Sequence, residues 1–518
     1  MQIDETLKNY DLIYGKNQTQ GIVSLESNDE FIELFIQAEG GEINSSKIPN
    51  KFWLVCNEDL GGFRRLNGNG YYKWGKQFLT KNELYSFKNH FNHKDIFVIY
   101  DSKESSMVLK GLTYYKGLKP KDISILSFDI ETTGLFHDKD AKLLLISNTY
   151  RQGYIIKKKL FAYDDYKDEG EMIDAWCKWV RQKDPSIMCG HNINGFDLHY
   201  LNFLAKKANT ELKLGRDGSA MTVKTRESKK RVDGSRDIHY FKSHIYGREI
   251  VDTMFLAINH DMATKKYISY GLKQIIKQEG LEKANRTFYD ASKIRFNYKD
   301  PVEWAKIKEY CKDDSDDALA LFDLMVPAQF YLANSIPKSF QSLTESATGS
   351  QLNSFLLRSY IQNAHSIPKA SQLEKVKGGI SFGIPGIYSN VIKIDLKSAY
   401  PSQVLRFKLY DPIKDPEANF YKMVHHFTYE RFDLKEQYEK TKDPYYLARE
   451  QAAKIVINSA YGLMNTPGLN FNNSTIANKI TKETRNMIEL SLKWSSDKDM
   501  TFYKQYMKEE DEPSVSDS

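Results

Sequence analysis

Hydrophobic and polar positions change their period several times along the chain, and each change predicts a different element. The short apolar runs ISILSFDI, KLLLISNTY and SIMCGHN are typical of buried strands, whereas EMIDAWCKWVRQ and DLHYLNFLAKKA carry apolar residues at helical spacing. Strands that alternate with helices predict an α/β layer over residues 116–330. A longer helical pattern runs from about Pro301 to Leu332.

The regions on either side of this layer have other patterns. Residues 1–115 contain short strand-like pieces such as FIELFIQ and KFWLVC, separated by Gly and Asn clusters, and show no catalytic constellation. Downstream, the Gly-rich loop VKGGISFGIPG precedes a predicted strand, YSNVIKIDL. Residues 427–463 predict two helices joined at Lys442-Asp443-Pro444. The chain is therefore predicted to be an α/β multidomain protein.

Composition narrows the class of protein. The 518 residues exceed one hydrophobic core and suggest about three or four domains. A net charge of +6 permits a polyanionic partner without requiring one. The four cysteines are far apart, without zinc spacing, which indicates reduced thiols in an intracellular protein. With no signal-peptide pattern and no membrane-length apolar run, we expect a cytoplasmic protein without membrane contact.

Two carboxylates interrupt the apolar run ISILSFDIETTGL. In a strand, Asp129 and Glu131 share one face, with Ile130 on the other. Two like charges this close repel unless a cation lies between them, and hard oxygen ligands suit Mg²⁺ or Mn²⁺. Taken alone, the pair could also be a solvated strand end.

Two further acidic segments follow. Asp197 stands at a helix start in GHNINGFDLHYL, where it could serve as a helix cap. In EYCKDDSDDALALF, Tyr310 shares a helix face with both Asp313 and Asp314, and spacing does not choose between the two. Taken alone, that segment is more typical of a solvated acidic helix face.

In order, these segments resemble the three exonuclease motifs of proofreading family B DNA polymerases: D-x-E, N-x-F-D and Y-x-x-x-D. The matching residues are Asp129, Glu131, Asn194, Phe196, Asp197, Tyr310 and Asp314. The resemblance favours Asp314 over Asp313 and implies an RNase H-like 3′-5′ exonuclease domain. In such a domain four carboxylates hold two Mg²⁺ ions, one activating the attacking water and the other stabilising the leaving oxygen, while Tyr310 orients water or phosphate.

A second group of residues lies further along the chain. Asp395 ends the predicted strand YSNVIKIDL and offers a metal ligand. Lys454, Asn458 and Tyr461 share one helix face, beside Gly462, which permits close approach. Upstream, Arg431 and Lys435 are one turn apart on another helix and could bind a triphosphate or form a solvated face.

These stretches also resemble family B motifs. DLKSAYPS is similar to motif A, KIVINSAYG to motif B, RFDLK to the fingers R-x-x-x-K, and VKGG to the Gly-Gly loop that contacts template. The resemblance implies a partial palm with helical fingers and gives the following roles. Asp395 binds catalytic Mg²⁺, Gly378 and Gly379 contact DNA, and the nucleotide contacts are Ser398, Ala399, Tyr400, Arg431, Lys435, Lys454, Asn458, Tyr461 and Gly462. Tyr400 would exclude a 2′-hydroxyl, and Ala399 stands where the family usually has Leu.

The family pattern predicts five regions. They are an N-terminal domain (1–115), the exonuclease domain (116–335), the first part of the palm (336–410), the fingers (411–470) and the palm return (471–518). The basic segment around Asp233-Gly234 predicts a hairpin. It lies where the family places a strand-partitioning hairpin, with Lys229, Lys230 and Arg231 as DNA contacts.

Motif C, usually D-T-D-S, has no match in a strand context. Asp497-Lys498-Asp499 has polar, helical flanks, and the terminal Ser516-Asp517-Ser518 fits a polar tail better than a motif remnant. The sequence thus predicts the N-terminal part of a polymerase of the type found in tailed phages, acting in the host cytoplasm if phage-encoded. Its polymerase metal pair would be completed by a second chain with motif C and a thumb.

The expected partners are primer–template, single-stranded DNA, dNTPs and, by resemblance, a sliding clamp. An interrupted gene product, an excised fragment, a stand-alone exonuclease and an inactive DNA-binding fragment are the alternatives.

Overall fold

The computed structural model describes residues 10–90, 95–232, 236–380, 383–393, 395–496, 498 and 500–504. Its internal contacts divide the chain into two units. One unit comprises residues 14–54 and 76–347, and the other comprises the described parts of 1–13, 55–75 and 348–518. Most of the predicted N-terminal domain therefore lies in the same unit as the predicted exonuclease domain.

The N-terminal elements are short, as the Gly and Asn clusters predict. In chain order they are α1 (Tyr10–Tyr14), β1 (Ile22–Ser27), β2 (Phe31–Gln37), β3 (Ile43–Pro49), β4 (Phe52–Cys56), β5 (Arg64–Arg65), β6 (Trp74–Phe78), α2 (Lys81–His90), β7 (Ile96–Phe97) and α3 (Ser102–Lys110). Strands β1, β2 and β3 form an antiparallel meander in which Leu25 pairs with Leu34.

The α/β layer contains the next group of elements. They are β8 (Ile125–Thr132), β9 (Leu143–Gln152), β10 (Ile155–Ala162), α4 (Glu169–Lys183), β11 (Ile187–Gly190), α5 (Asp197–Lys207), β12 (Thr222–Arg231), β13 (Asp237–His244), β14 (Glu249–Asp252), α6 (Thr253–Thr264), α7 (Leu272–Gln278), α8 (Ala291–Asn297), α9 (Pro301–Leu332) and α10 (Phe340–Glu345). Short 3₁₀ turns occur at Pro120–Asp122 and Tyr163–Asp165.

A five-stranded mixed sheet organises this layer, in the order β10-β9-β8-β11-β14. Strands β8, β11 and β14 run parallel, whereas β9 and β10 form an antiparallel hairpin beside β8. Leu126, Phe128 and Ile130 alternate along β8 into a core that includes Trp176 of α4. The opposite face of β8 and β9 packs against α9, where the Ser147 hydroxyl donates to the Cys311 carbonyl at 2.6 Å.

Local sequence signals explain the long helices. Asp300 caps α9 by accepting from the backbone N–H groups of Val302 and Glu303, and Pro301 occupies the first helical position. Asp168 caps α4 in the same way, through the Glu171 N–H at 2.9 Å. The predicted strands and helices of this region are therefore present.

The other unit is mainly helical. Its helices are α11 (Thr348–Gln362), α12 (Ala399–Phe407), α13 (Asn419–Thr441), α14 (Pro444–Met464), α15 (Ser474–Ser496) and α16 (Met500–Lys504). Helices α13 and α14 pair where the sequence predicts two helices. The second helix begins after Asp443, which caps α14 through the Tyr445 N–H at 2.9 Å. The α/β multidomain class is confirmed, and among the described residues no helix is both long and apolar enough to cross a bilayer.

The strand predicted for YSNVIKIDL is wrong. In the described parts of 388–396 the backbone is irregular and pairs with no strand, and helix α12 begins at Ala399. Val391 and Ile392 are exposed rather than packed. An apolar run becomes a strand only when another strand supplies hydrogen-bond partners, and none of the described strands lies beside it.

Candidate active site

The carboxyl end of the parallel strands collects the acidic residues of the first group. Asp129 and Glu131 follow the alternation of β8 and share the face opposite Phe128 and Ile130. Asp129 pairs across the sheet with Ser147 of β9, whose hydroxyl contacts α9. The two acids therefore face α9 rather than the core around Trp176.

The loop after β11 supplies the next residues. Asp252, the last residue of β14, accepts the backbone N–H groups of Asn192 at 2.8 Å and Asn194 at 3.1 Å. The Asp252 carboxylate also caps α6 through the Met254 N–H at 3.0 Å. This loop leads into α5, which begins at Asp197. Asp197 is buried, and Phe196, not Asp197, occupies the cap position, without a side-chain cap.

Helix α9 brings the third group to the same place. Tyr310, Cys311 and Asp314 are all buried. The oxygen and sulfur ligand atoms of Asp129, Glu131 and Cys311 lie within 4.8 Å of one another. The Cys311 thiol is 3.8 Å from Asp129 Oδ2.

Asp313 points elsewhere than Asp314. The carboxylate of Asp313 accepts the Thr287 N–H at 2.8 Å and lies 3.6 Å from the Lys283 ammonium. The Asp314 carboxylate instead lies 3.7 Å from the Lys273 ammonium. Burial raises the pKa of Asp129 and Glu131, and the charge of Asp314 raises it further. The spacing from Tyr310 did not choose between Asp313 and Asp314, and the structure places Asp314 at the site.

Burial and mutual repulsion act together on these acids. Burial raises the pKa of Asp129 well above its usual range, and the charges of Asp197, Asp314 and Glu131 raise it further. Burial also raises the pKa of Glu131 to about 8 and that of Asp197 to about 7. Four carboxyl groups with shifts of this sign form a site that disfavours its own negative charge.

Two cations lie against this acidic group. Arg286 donates to Asp314 Oδ1 and, at 2.7 Å, to Asp317 Oδ2, with a side chain that is only 1% exposed. Lys273 of α7 donates to the Tyr310 hydroxyl and lies 3.7 Å from Asp314 Oδ2. Burial raises the pKa of Asp314, while Lys273 and Arg286 lower it.

The donor set fits a divalent cation. Two carboxylates within 4.8 Å of each other offer hard oxygen ligands, and Asp197 and Asp314 lie close enough to shift their pKa. In addition, both polar side-chain atoms of buried Asn194 lack a hydrogen-bond partner within the described part of the chain. Asp129, Glu131, Asp197 and Asp314 are therefore the residues that could hold metal.

Four residues of this site were missed by sequence reasoning: Asp252, Lys273, Arg286 and Cys311. Asp252 had a usable signal, since it directly follows the apolar pair Ile250-Val251, as Asp129 follows an apolar stretch in its own strand. The two cations and the cysteine had none, because their proximity to Asp314 and Asp129 depends on how α7, the 279–290 segment and α9 pack.

The second group of predicted residues gathers only in part. Arg431 donates to the Ser398 hydroxyl at 2.8 Å and pairs with buried Glu450 at 2.7 Å. The Tyr400 and Tyr461 rings are 5.1 Å apart. Lys454 and Asn458 are exposed one turn apart on α14, Lys435 is exposed 4.0 Å from Glu439, and Gly462 lies between Tyr461 and the helix end.

The Gly-rich loop lies beside these rings. The carbonyls of Lys377 and Gly378 accept from Arg485 of α15, and a side chain added at Gly379 would reach the Tyr400 hydroxyl at 3.6 Å. Ala399 is the first residue of α12. Asp395 is exposed and belongs to no group of three metal-ligating side chains among the described residues.

The predicted hairpin is present as β12 and β13, whose register includes Lys230 opposite Ile238. Its turn residues Asp233 and Gly234 lie outside the described residues. Lys229 and Arg231 are exposed, and Arg231 pairs with Asp237 at 2.6 Å.

Lys230 does not match the predicted DNA contact. Its side chain is buried, and its ammonium donates to Asn259 Oδ1 at 2.7 Å and the Thr344 carbonyl at 3.0 Å. Because side chains alternate along β12, Lys230 points inward while its neighbours Lys229 and Arg231 point outward. Asp497, Asp499 and the Ser516-Asp517-Ser518 tail lie outside the described residues.

Fold and site together define an α/β domain with a carboxylate-rich, metal-type centre at the end of its sheet. The family model described as "DNA polymerase family B, exonuclease domain" matches residues 77–275. Residues 77–275 therefore carry an exonuclease domain of the kind found in family B DNA polymerases.

Curated relatives and a solved structure agree with this assignment. A DNA polymerase of Thermococcus sp. (strain 9oN-7) is 25% identical over 482 residues, covering 81% of this chain and 59% of that protein. A DNA polymerase of Pyrococcus glycovorans is 24% identical and covers 69% of this chain and 48% of that protein. The family B DNA polymerase structure from Pyrobaculum calidifontis covers 94% of this chain and 72% of that chain, with a TM-score of 0.71 and 17% identity, which supports the fold. The chain spans about half of the curated relatives' length.

Proposed function

We propose that this chain removes nucleotides from DNA 3′ ends by metal-assisted hydrolysis. The observation that carries the proposal is the convergence of Asp129, Glu131, Asp197 and Asp314, buried and mutually repelling, beside the Tyr310 hydroxyl. A structural role alone does not account for four carboxyl groups whose burial opposes their charge.

The residues have distinct roles in this proposal. Asp129, Glu131, Asp197 and Asp314 would hold two Mg²⁺ ions, which when bound activate the attacking water and stabilise the leaving oxygen. Burial and the charge of Asp314 raise the pKa of Tyr310, so its hydroxyl stays protonated and can donate to a phosphate oxygen. Asp252 holds the loop that carries Asn194 and leads to Asp197, and so fixes their approach to the 3′ end.

The second unit would bind an incoming dNTP and template for DNA synthesis. Arg431, fixed by Glu450 beside Ser398, and Lys435 would meet the triphosphate, and exposed Lys454 and Asn458 would meet the nucleotide. Tyr400 against Tyr461 would form the surface under the sugar. Asp395 is one metal ligand, so synthesis requires further carboxylates. We propose that a second chain supplies them from its motif C and holds the duplex with its thumb.

A labelled primer–template assay with Mg²⁺ and dNTPs tests both activities. We expect 3′-end shortening that Asp129→Ala/Glu131→Ala abolishes. Asp314→Ala should slow shortening by at least about a hundredfold, as loss of transition-state charge stabilisation predicts. Asp313→Ala is the matched control, since that carboxylate faces Lys283 and the Thr287 N–H instead.

Each outcome has a defined meaning. Equal losses in the Asp313 and Asp314 variants would contradict the assignment of the metal ligands. Primer extension by the purified chain would show that no further carboxylates are needed for synthesis, and would overturn that part of the proposal. Binding of the DNA should weaken steeply with salt, because phosphate contacts dominate such complexes.

A further inference from the structure

Lys273 occupies a position in the first site that no motif predicts. It lies at the start of α7, whose buried residues Ile275 and Ile276 attach the helix to the domain. The Lys273 ammonium donates to the Tyr310 hydroxyl, lies 4.1 Å from the centre of that ring, and is 3.7 Å from Asp314 Oδ2. One side chain therefore contacts two residues of the proposed catalytic group.

We propose that Lys273 is a positioning residue for 3′-end hydrolysis, which fixes the Tyr310 hydroxyl beside Asp314 and whose positive charge sets the affinity of the carboxylates for divalent cations. This inference rests on the proposed function. It goes beyond the roles given above because Lys273 lies outside the three motifs and would affect both the position of Tyr310 and the affinity of the carboxylates for divalent cations.

Arg286 is the other cation at this site, and its burial explains why Lys273 is the better candidate for the positioning role. Arg286 is almost fully buried and shared between Asp314 and Asp317, so its removal would leave uncompensated buried charge. The Lys273 side chain is 39% exposed, and its partners are Tyr310 and Asp314. Its loss should therefore leave the fold intact and change the site.

The effect of the Lys273 charge on several carboxyl groups supports the same role. Burial raises the pKa of Glu131, Asp129 and Asp314, and in each case Lys273 opposes the rise. A cation that favours the charged form of three carboxyl groups also repels a second cation placed among them. Removing it should thus have opposite effects on cation affinity and on the orientation of Tyr310.

The experiment measures Mn²⁺ binding to the purified chain by the electron paramagnetic resonance signal of free Mn²⁺, beside single-turnover shortening of a 3′-labelled oligonucleotide. Lys273→Gln should tighten Mn²⁺ binding roughly tenfold, the change expected when a unit charge is removed from about 5–6 Å of a divalent ion at near-aqueous dielectric. The same variant should slow shortening at saturating Mn²⁺ by about tenfold, because Tyr310 loses its partner.

Three further variants separate positioning from simple loss of structure. Lys273→Arg should restore most of both properties, and Lys277→Gln, on the same helix but exposed, should change neither. In a Tyr310→Phe background, Lys273→Gln should cost less than twofold in rate, since the hydroxyl it holds is already gone. Tighter Mn²⁺ binding would persist there.

Unchanged Mn²⁺ affinity in Lys273→Gln, or a full additional rate loss in the Tyr310→Phe background, would overturn the inference. Failure of the proposed function is recognised separately. In that case Asp129→Ala/Glu131→Ala would bind Mn²⁺ like the unmodified chain, or the unmodified chain would not shorten the oligonucleotide. The Mn²⁺ comparison between Lys273→Gln and Lys277→Gln would still report on the charge of Lys273.

Discussion

Replacing Asp129 by asparagine should abolish 3′-end hydrolysis and, in EDTA at pH 8, make the folded protein more stable. The substitution keeps the size of the side chain and removes one charge from a buried group of like charges. Function and stability are then opposed at a single position, as expected where an active site stores unfavourable electrostatic energy.

The magnitude follows from the geometry. The ligand atoms of Asp129 and Glu131 lie within 4.8 Å of each other. Two fully ionised carboxylates at that distance would repel by about 3 kcal/mol at an effective dielectric constant of about 20. Because the pKa of both groups is raised, the folded chain relieves part of this repulsion at pH 8 by holding protons. Because Lys273 offsets part of this repulsion, we expect the free energy of unfolding to rise by about 1–2 kcal/mol at pH 8.

The effect should depend on pH with a definite sign. Burial raises the pKa of Glu131 from 4.5 to about 8 and that of Asp197 from 3.8 to about 7. An acid with a raised folded-state pKa stabilises the fold below its unfolded value, and this contribution is lost as pH rises through the folded value. The unmodified chain in EDTA should therefore lose stability between about pH 4 and pH 8, and the gain from Asp129→Asn should approach zero near pH 4.

Thermal unfolding in EDTA at pH 4 and pH 8, followed by calorimetry, provides the test. At pH 8 the midpoint should rise by roughly 1–3 °C, and Mn²⁺ should stabilise the unmodified chain but not the variant. Asp140→Asn, which removes an exposed carboxylate that is not part of the acidic group, is the control and should shift neither midpoint. A lower midpoint for Asp129→Asn at pH 8 would show that the carboxylates do not repel one another and would refute the electrostatic account of the site.

Other positions give further expected outcomes. Asp252→Asn leaves one of its N–H partners without an acceptor and should cost about 1–3 kcal/mol by denaturant titration, with a loss of shortening activity. Lys230→Met should lower the unfolding midpoint and leave the affinity for single-stranded DNA unchanged. Lys229→Gln/Arg231→Gln should lower that affinity without destabilising the fold. The reverse pattern would place Lys230 at the DNA. All four cysteines are buried and burial raises their thiol pKa, so a thiol reagent in EDTA at pH 8 should modify none until the chain is denatured, and rapid modification of any of them would contradict this packing.

Local pattern determined much of the first site. Alternation along β8 is enough to place Asp129 and Glu131 on one face, because successive side chains of any strand point to opposite sides. Helix signals predicted the bounds of α9 from Asp300-Pro301 onward and put Tyr310 on one surface with Asp314. The family resemblance added the order of the motifs, and the family model confirmed the exonuclease domain over residues 77–275.

Tertiary packing decided which residues complete that site. Spacing allowed both Asp313 and Asp314, and only the docking of α9 on the sheet directs one inward and the other to Lys283. Lys273 and Arg286 reach Asp314 from segments 28 or more residues away in sequence. The sequence around Lys273 and Arg286 does not predict these contacts with Asp314, because an ion pair depends on distance in space and not on neighbours in the chain.

The same distinction explains where sequence reasoning was wrong. Lys230 belongs to a basic run, which predicted a DNA contact, but Asn259 of α6 and the carbonyls at the end of α10 supply acceptors that hold it inside. The run YSNVIKIDL has the apolar character of a strand, but a strand exists only with a hydrogen-bonded neighbour. Periodicity and side-chain chemistry are properties of the sequence alone. Strand partners, counterions and the choice between adjacent acids belong to the tertiary structure, because each requires a second group that the chain brings from far along its length.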